Sequence, residues 1–286
     1  MTERHVLNAP GAWYVDTRCF NCSAARTVAP GLIVEQGGQS VFARQPETPE
    51  ELVMAWRARL LCPTASVRTE QHMEPPAGLF PEEMAPGVYR LGYNARSSYG
   101  AHSFLIRRHA DNVMVDSPRW AKQVVSRIEE WGGLSDILLT HQDDVADADR
   151  YAERFGARVW IHVEDRAAAP YADRLLAGDE PTRIDDNLLA IPVPGHTKGS
   201  VAYLVASQYL FTGDSLAWSF EQNDLTAFRS YCWSWTTQTR SLGRLCEHAF
   251  EGVFAGHGGS RILSFDDMKA RLEALVERMG RAPETV

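Results

Sequence analysis

The sequence predicts an α/β protein, and three observations carry that reading. Apolar runs of strand length repeatedly stop at a histidine or an aspartate. One of them, Asp136-Ile137-Leu138-Leu139-Thr140, ends in His141-Gln142-Asp143-Asp144 and is followed at once by helix formers from Val145 to Phe155. A strand end that runs into a helix start is where an α/β protein gathers polar groups. Third, residues 13–67 hold a short strand, a hairpin and a helix of their own, so a small module precedes the main domain.

Within that module Trp13 to Asp16 reads as a strand, followed by Cys19-Phe20-Asn21-Cys22 and a hairpin through Gly37-Gly38. Pro49 to Leu61 reads as a helix, because Thr48 can cap it and proline is at home in its first position. It ends at Leu61-Cys62-Pro63. Arg68 to Pro86 is polar and proline-rich and reads as a surface linker. The expected boundaries are residues 1–70, a linker over 71–86, and a second domain over 87–286.

In the second domain Val88 to Leu91, Ser103 to Ile106 and Val113 to Asp116 read as successive strands, and Trp120 to Trp131 as an amphipathic helix. Val159 to His162 is the next strand. His162 at its end is more simply a hydrogen-bonded structural residue than a ligand. Leu188 to Val193 and Val201 to Val205 flank a tight turn, Pro194-Gly195-His196-Thr197-Lys198-Gly199. Phe211-Thr212-Gly213-Asp214 and Phe254-Ala255-Gly256-His257 repeat the pattern of an apolar run ending in a polar residue. Phe265 to Met279 closes the chain as a helix. Leu216 to Trp235 is crowded with aromatic residues, including Trp218, Phe220, Tyr231 and Trp233. Because it follows Asp214 directly, it reads as core and as a wall of a substrate pocket. Arg229 within it reads as a surface ion pair or a partner for an anionic group, and Cys232 and Cys246 as buried, inert thiols.

The formal net charge is −8 with no Lys/Arg-rich run, which disfavours nucleic acid as a partner because phosphate binding needs clustered positive charge. No apolar stretch approaches the ~20 residues of a membrane helix. The first nine residues lack the basic-then-apolar pattern of a signal peptide, so a cytoplasmic location is expected. Five cysteines, unevenly spread, do not form a disulfide framework. The partner expected is a small-molecule substrate.

Any one strand-end histidine or Gly-Asp turn is bland. Four in series, with glycine where the backbone must bend sharply, are not. In this order they resemble the metallo-β-lactamase superfamily, whose members carry H-x-H-x-D-H, a Gly-His-Thr turn, a Gly-Asp and a Gly-His. The resemblance covers about two-thirds of the chain and implies an αββα sandwich and a centre for one or two transition-metal ions (zinc, iron or manganese). The implied ligands are His141, Asp143, Asp144, His196, Asp214 and His257, with Asp143 and Asp214 catalytic. The first motif departs from the family, because His141-Gln142-Asp143-Asp144 is about two residues short. Aligned with the family, Asp143 takes the place of its Asp and Asp144 that of its last His. His141 and His196 then serve one metal, Asp143, Asp144 and His257 the other, and Asp214 bridges. Asp147, one turn on, is expected behind the two carboxylates.

The first quarter resembles a small bacterial-type ferredoxin of α+β fold, in which C-x-x-C-x-x-C and a distant Cys-Pro hold an iron–sulfur cluster. Here Cys19, Cys22 and Cys62 match, and Ala25 stands at the third motif position. Two readings stay open: a cluster on three thiolates, or a scaffold that has lost it. Together the resemblances imply a hydrolase in which a metal-activated hydroxide attacks an ester, thioester or lactam. The rivals are a di-iron redox enzyme served by the N-terminal module, which the carboxylate-rich ligand set favours, and a degraded, non-catalytic scaffold.

Overall fold

In the computed structural model, which describes residues 3–70, 74–109 and 112–281, the chain from Glu82 onward is a four-layer sandwich. A seven-stranded sheet runs in the order Arg174–Leu176, Arg158–His162, Asp136–Leu138, Val113–Val115, Phe104–Ile106, Val88–Arg90, Glu82–Ala85. The strand Asp136–Leu138 pairs in parallel on both sides, and the strands before Val113 pair antiparallel. A six-stranded sheet faces it, built from Thr182–Asp185, Leu188–Pro192, Val201–Val205, Tyr209–Gly213, Gly252–Ala255 and Arg261–Ile262.

Between the sheets lies a core of Phe104, Val115, Leu138, Tyr203, Phe211 and Phe254. Phe211 and Phe254 stack with ring centroids 5.1 Å apart. The helices Lys122–Glu130 and Ala148–Phe155 cover the outer face of the first sheet through Val124, Ile128 and Tyr151. Trp235–Leu245 and Phe265–Arg281 cover the second through Leu242, Leu272 and Met279. Strands buried on both faces explain why the sequence shows apolar runs there rather than alternation.

The N-terminal module has its own core around Trp13, Leu32, Phe42, Trp56 and Leu61. Strand Trp13–Val15 pairs with Val67–Thr69, and Ile33–Gln36 forms a hairpin with Gln39–Phe42. Its long helix is Pro49–Leu61, as expected. The Thr48 hydroxyl accepts from the Glu51 amide, and Glu51 reaches back to the Thr48 amide, so two free N–H groups of the first turn are satisfied at once.

Three expectations shift. The stretch 71–86 is not linker throughout: Glu82–Ala85 is the edge strand of the first sheet, where Glu82 pairs with both Arg90 and Arg57. Residues 71–73 lie outside the described residues. The helix expected from Val145 starts at Ala148, after a single 3₁₀ turn over Gln142–Asp144. Ala146 is left-handed (φ 39°), and Asp147 beyond it accepts from the Trp120 amide at 2.5 Å. Asp147 is therefore a structural brace, not a support for Asp143 or Asp144.

Candidate metal centre

All four strand-end motifs meet at one edge of the sandwich, where the strands Asp136–Leu138, Tyr209–Gly213 and Gly252–Ala255 finish. Two ligand groups form there, His141 with His196 and Asp214, and Asp144 with Asp214 and His257. Asp214 belongs to both.

In the first group His141 Nε2 and His196 Nε2 stand 3.9 and 3.6 Å from Asp214 Oδ2. Asp143 Oδ2 completes the ring at 3.8 Å from His141 and 3.5 Å from His196. A tetrahedron around an ion bound at 2.0–2.2 Å has edges of about 3.4 Å, so the His–Asp separations are close to the right spread, while Asp143 lies outside the compact group of His141, His196 and Asp214. Asp143 still stands with the two histidines, not with Asp144 and His257 as the alignment placed it. The side chain of Asp143 is 58% exposed, so this side of the centre is open to a substrate.

Buried polar atoms without partners are rare, because each costs about 1–3 kcal/mol. Here they cluster. His141 Nε2, both ring nitrogens of His196 and both carboxylate oxygens of Asp144 are buried and make no hydrogen bond. A side chain of Asp144 that is 1% exposed and has no partner is the clearest mark of a place for a cation. Burial, reinforced by Asp214, pushes the Asp144 carboxyl well above the usual range when no metal is bound. Gly256 is needed at this point, because a Cβ there would lie 2.7 Å from Asp144 Oδ2 and 2.9 Å from Asp214 Oδ1.

The second group is closed by a proton. His257 Nδ1 lies 2.9 Å from both Asp214 oxygens, and its amide donates to Asp214 Oδ1. Burial works against charge on either group. The pairing wins, raising the imidazole to about 10 and holding the Asp214 carboxylate below its ordinary value. A cation held by Asp144, Asp214 and His257 would have to displace the His257 proton.

His141 and the turn that carries His196 are held from behind. Thr140 Oγ1 sits between Asp116 (2.9 and 3.0 Å) and His141 Nδ1 (3.0 Å). An Nδ1–H donated to Thr140 leaves the Nε2 lone pair of His141 facing the centre. Burial lowers the His141 imidazole to about 4, which keeps it neutral as a ligand must be. The turn carrying His196 is tied down by Asp165, which accepts from Thr197 Oγ1 (2.6 Å), the Gly199 amide (3.2 Å) and the Gln142 amide (3.0 Å). Asp165 thereby aligns two ligand loops, and the sequence reading missed it. Only its place three residues beyond the strand Arg158–His162 hinted at the site. His162 is structural, with Nε2 on the Gly178 carbonyl and Nδ1 accepting from the Glu164 amide. Replacing Asp165 with Ala is expected to weaken metal binding about 10- to 100-fold, the usual loss for a group behind a ligand. Competition titration with a chromophoric chelator reads that shift, and unchanged affinity would show that the turn needs no such brace.

The aromatic stretch buttresses the same turn, since the amides of Trp233 and Ser234 donate to the carbonyls of His196 and Gly195. Trp218 is core, whereas Phe220, Tyr231 and Trp233 are exposed. Arg229 stacks over Trp235, 5.7 Å from the ring centroid. Cys232 and Cys246 are half-buried rather than buried, and burial raises both thiols.

In comparison with solved structures, TMB-1 superposes with a TM-score of 0.54 at 15% identity, over 70% of this chain and 97% of that one. The DIM-1 metallo-β-lactamase gives 0.52 at 17%, over 69% and 95%. The chain has the metallo-β-lactamase fold. At such identities the likeness is one of fold alone. In sequence, the metallo-β-lactamase-fold chain is 34% identical over 119 residues to a hydroxyacylglutathione hydrolase of Acidiphilium cryptum (strain JF-5), 40% of this chain and 49% of the relative. It is 35% identical over 108 residues to one of Fuscovulum blasticum, 36% and 42%. The chain thus spans about half the length of the curated relatives it matches. Residues 15–69 match the family described as the 4Fe-4S single cluster domain of ferredoxin I, so the module in front is ferredoxin-like.

In that module Cys19, Cys22 and Cys62 line one small cavity together with Ala25, Phe20 and Pro63. Cys62 Sγ accepts from the Ser66 amide at 3.3 Å, and Cys22 from the Ala24 amide. Asn21 and Ser23 are left-handed (φ 64° and 65°) and wrap the loop around the sulfurs. Amide hydrogen bonds to sulfur are among the features that tune an iron–sulfur cluster's potential. Three residues therefore fit an iron–sulfur cluster, and Ala25 leaves its fourth corner without a protein ligand. No helix among the described residues is long and apolar enough to cross a membrane.

Proposed function

We propose that the chain is a metal-dependent hydrolase acting on a small thioester or related acyl compound. The observation that carries this is the sharing of Asp214 between two ligand groups whose buried atoms lack partners. The matched relatives named hydroxyacylglutathione hydrolase support a thioester over a lactam or phosphodiester. Bound metal would lower the pKa of a water and polarise the acyl carbonyl. The chain's own residues do the rest. His141, His196 and Asp214 would fix the ion, Asp214 would join the two ligand groups, and exposed Asp143 faces the entering substrate. Compared with a three-histidine site, two imidazoles and two carboxylates favour a harder ion, iron or manganese, over zinc.

The test is metal analysis combined with a thioester assay. Protein loaded separately with zinc, manganese and ferrous iron should bind one or two ions and release thiol from an acyl-thioester, and a chelator should stop it. A chain that binds metal but releases no thiol with any of the three would overturn the hydrolase reading.

A further inference from the structure

Beside the His196 turn lies a cavity of about 390 Å³, a volume ordinary for a small-molecule site. None of the candidate metal ligands lines it. One wall is a single face of the helix Trp235–Leu245, where Thr237, Arg240, Ser241 and Arg244 recur at intervals of three and four. The rest comes from Lys198 on the turn, from Trp233, and from Glu164 and Asp179, which follow two neighbouring strands of the first sheet.

The floor is already satisfied. Ser241 Oγ donates to the Pro194 carbonyl at 2.7 Å, and His162 Nε2 lies 3.2 Å from the Gly178 carbonyl. The walls are not. Trp233 is 57% exposed, although its amide is fixed to the His196 carbonyl at 2.9 Å. Lys198 Nζ lies 5.3 Å from the centre of that indole. Arg244 is engaged by the Asp179 carbonyl and by Glu180 at 3.8 Å. Among the described residues Lys198 and Arg240 pair with no carboxylate, in a chain of net charge −8. Each feature is ordinary alone. A bare indole and two unpaired cations around one cavity suit an anion with a planar or apolar body.

The charge count narrows the anion. Lys198, Arg240 and Arg244 against Glu164 and Asp179 leave an excess of one positive charge. That matches a single carboxylate. A phosphate monoester carries about 1.5–2 negative charges at pH 7, and the surplus would be repelled by Glu164 and Asp179.

We propose that this cavity binds a small organic carboxylate, with the carboxyl group on Lys198 and Arg240 and the planar or apolar body on the Trp233 indole. Two molecules can bring that group: a thioester substrate that carries a carboxylate of its own, or a separate free carboxylate. Only the first source rests on the hydrolase reading.

The test uses the zinc-loaded full chain with isotope-labelled tryptophan, titrated with hippurate (benzoylglycine) and with its neutral carboxamide. The indole N–H signal of Trp233 is the one absent from Trp233→Phe. Hippurate should move that signal and the carboxamide should not. Lys198→Ala and Arg240→Ala should each weaken hippurate binding roughly fivefold, the loss expected for a charge-assisted bond that water partly screens. Hippurate held by zinc instead would survive both substitutions. Metal content is measured alongside, and Arg240→Ala, which lies on the helix, decides where Lys198→Ala disturbs the neighbouring His196. An unmoved Trp233 signal, equal shifts with the carboxamide, or wild-type affinity in Arg240→Ala would each overturn the proposal. A thioester with a terminal carboxylate then separates the sources. If the substrate supplies the group, hippurate competes with it and Arg240→Ala raises KM at unchanged kcat. If a separate molecule does, hippurate binds and KM stays. Both results keep the site. A chain that releases no thiol counts against the hydrolase alone, because binding is read without turnover.

Discussion

Asp214→Ala is expected to empty both halves of the metal centre and to lower thioester hydrolysis by more than about a hundredfold. Removing a group that merely supports a ligand costs 10- to 100-fold in affinity or activity, and Asp214 is the one side chain common to both groups. Its loss also strands His257, whose charge depends on the Asp214 carboxylate. Asp143→Ala should behave differently. It removes one exposed oxygen from the first group and leaves Asp144, Asp214 and His257 in place, so the protein should keep more metal than the Asp214 variant. Metal content by plasma emission and kcat on the same thioester separate the two. If Asp214→Ala retained the wild-type metal content, the shared-ligand reading would fall.

How legible was this centre in the sequence? His141, His196, Asp214 and His257 each end an apolar strand, and strand ends on one edge of a sandwich must converge. Their meeting follows from pattern alone. The grouping of Asp143 did not follow, because either of two adjacent carboxylates can be turned toward a given histidine and no periodicity decides which. Asp165 was invisible for a different reason. It binds amides and a hydroxyl rather than a ligand side chain, and an aspartate shortly after a strand is ordinary in any sequence. The strand Glu82–Ala85 was hidden among prolines, since an edge strand of four residues tolerates a composition that a central one does not. The contact between Gly100 and Cys22 joins two parts of the chain 78 positions apart, and no periodicity reports it.

Metal-free protein is expected to lose stability as the pH rises from about 6.5 to 8, against the common trend for a protein rich in paired carboxylates. Three groups at the centre titrate with the same sign in this window. Burial holds the Asp116 carboxyl protonated up to about 8 and pushes Asp144 well above its ordinary value. His257 stays protonated to about 10. Each has a folded pKa above its unfolded one, so the folded chain binds more protons. The stability each contributes is fully present below the unfolded pKa and is lost as pH rises toward the folded value. His141 and His102 have the opposite sign, since burial depresses both. Their contribution is largely complete once pH passes the ordinary imidazole range near 6.5. Asp16 and Asp136, held low by their arginine partners against burial, are ionised in both states throughout the window. One such group losing 1.5 pH units of linkage costs about 2 kcal/mol, and Asp116 and Asp144 are too deeply buried for solvent to screen it. In a chain of this size that corresponds to a fall in Tm of roughly 4–8 °C. Bound metal replaces the protons on Asp144 and His257, so the metal-loaded protein should show a flat or rising Tm over the same range. Calorimetry at pH 6.5 and 8.0, with and without metal, reads both slopes. A metal-free Tm that rises with pH would mean that the centre is not the proton store its buried carboxyls make it.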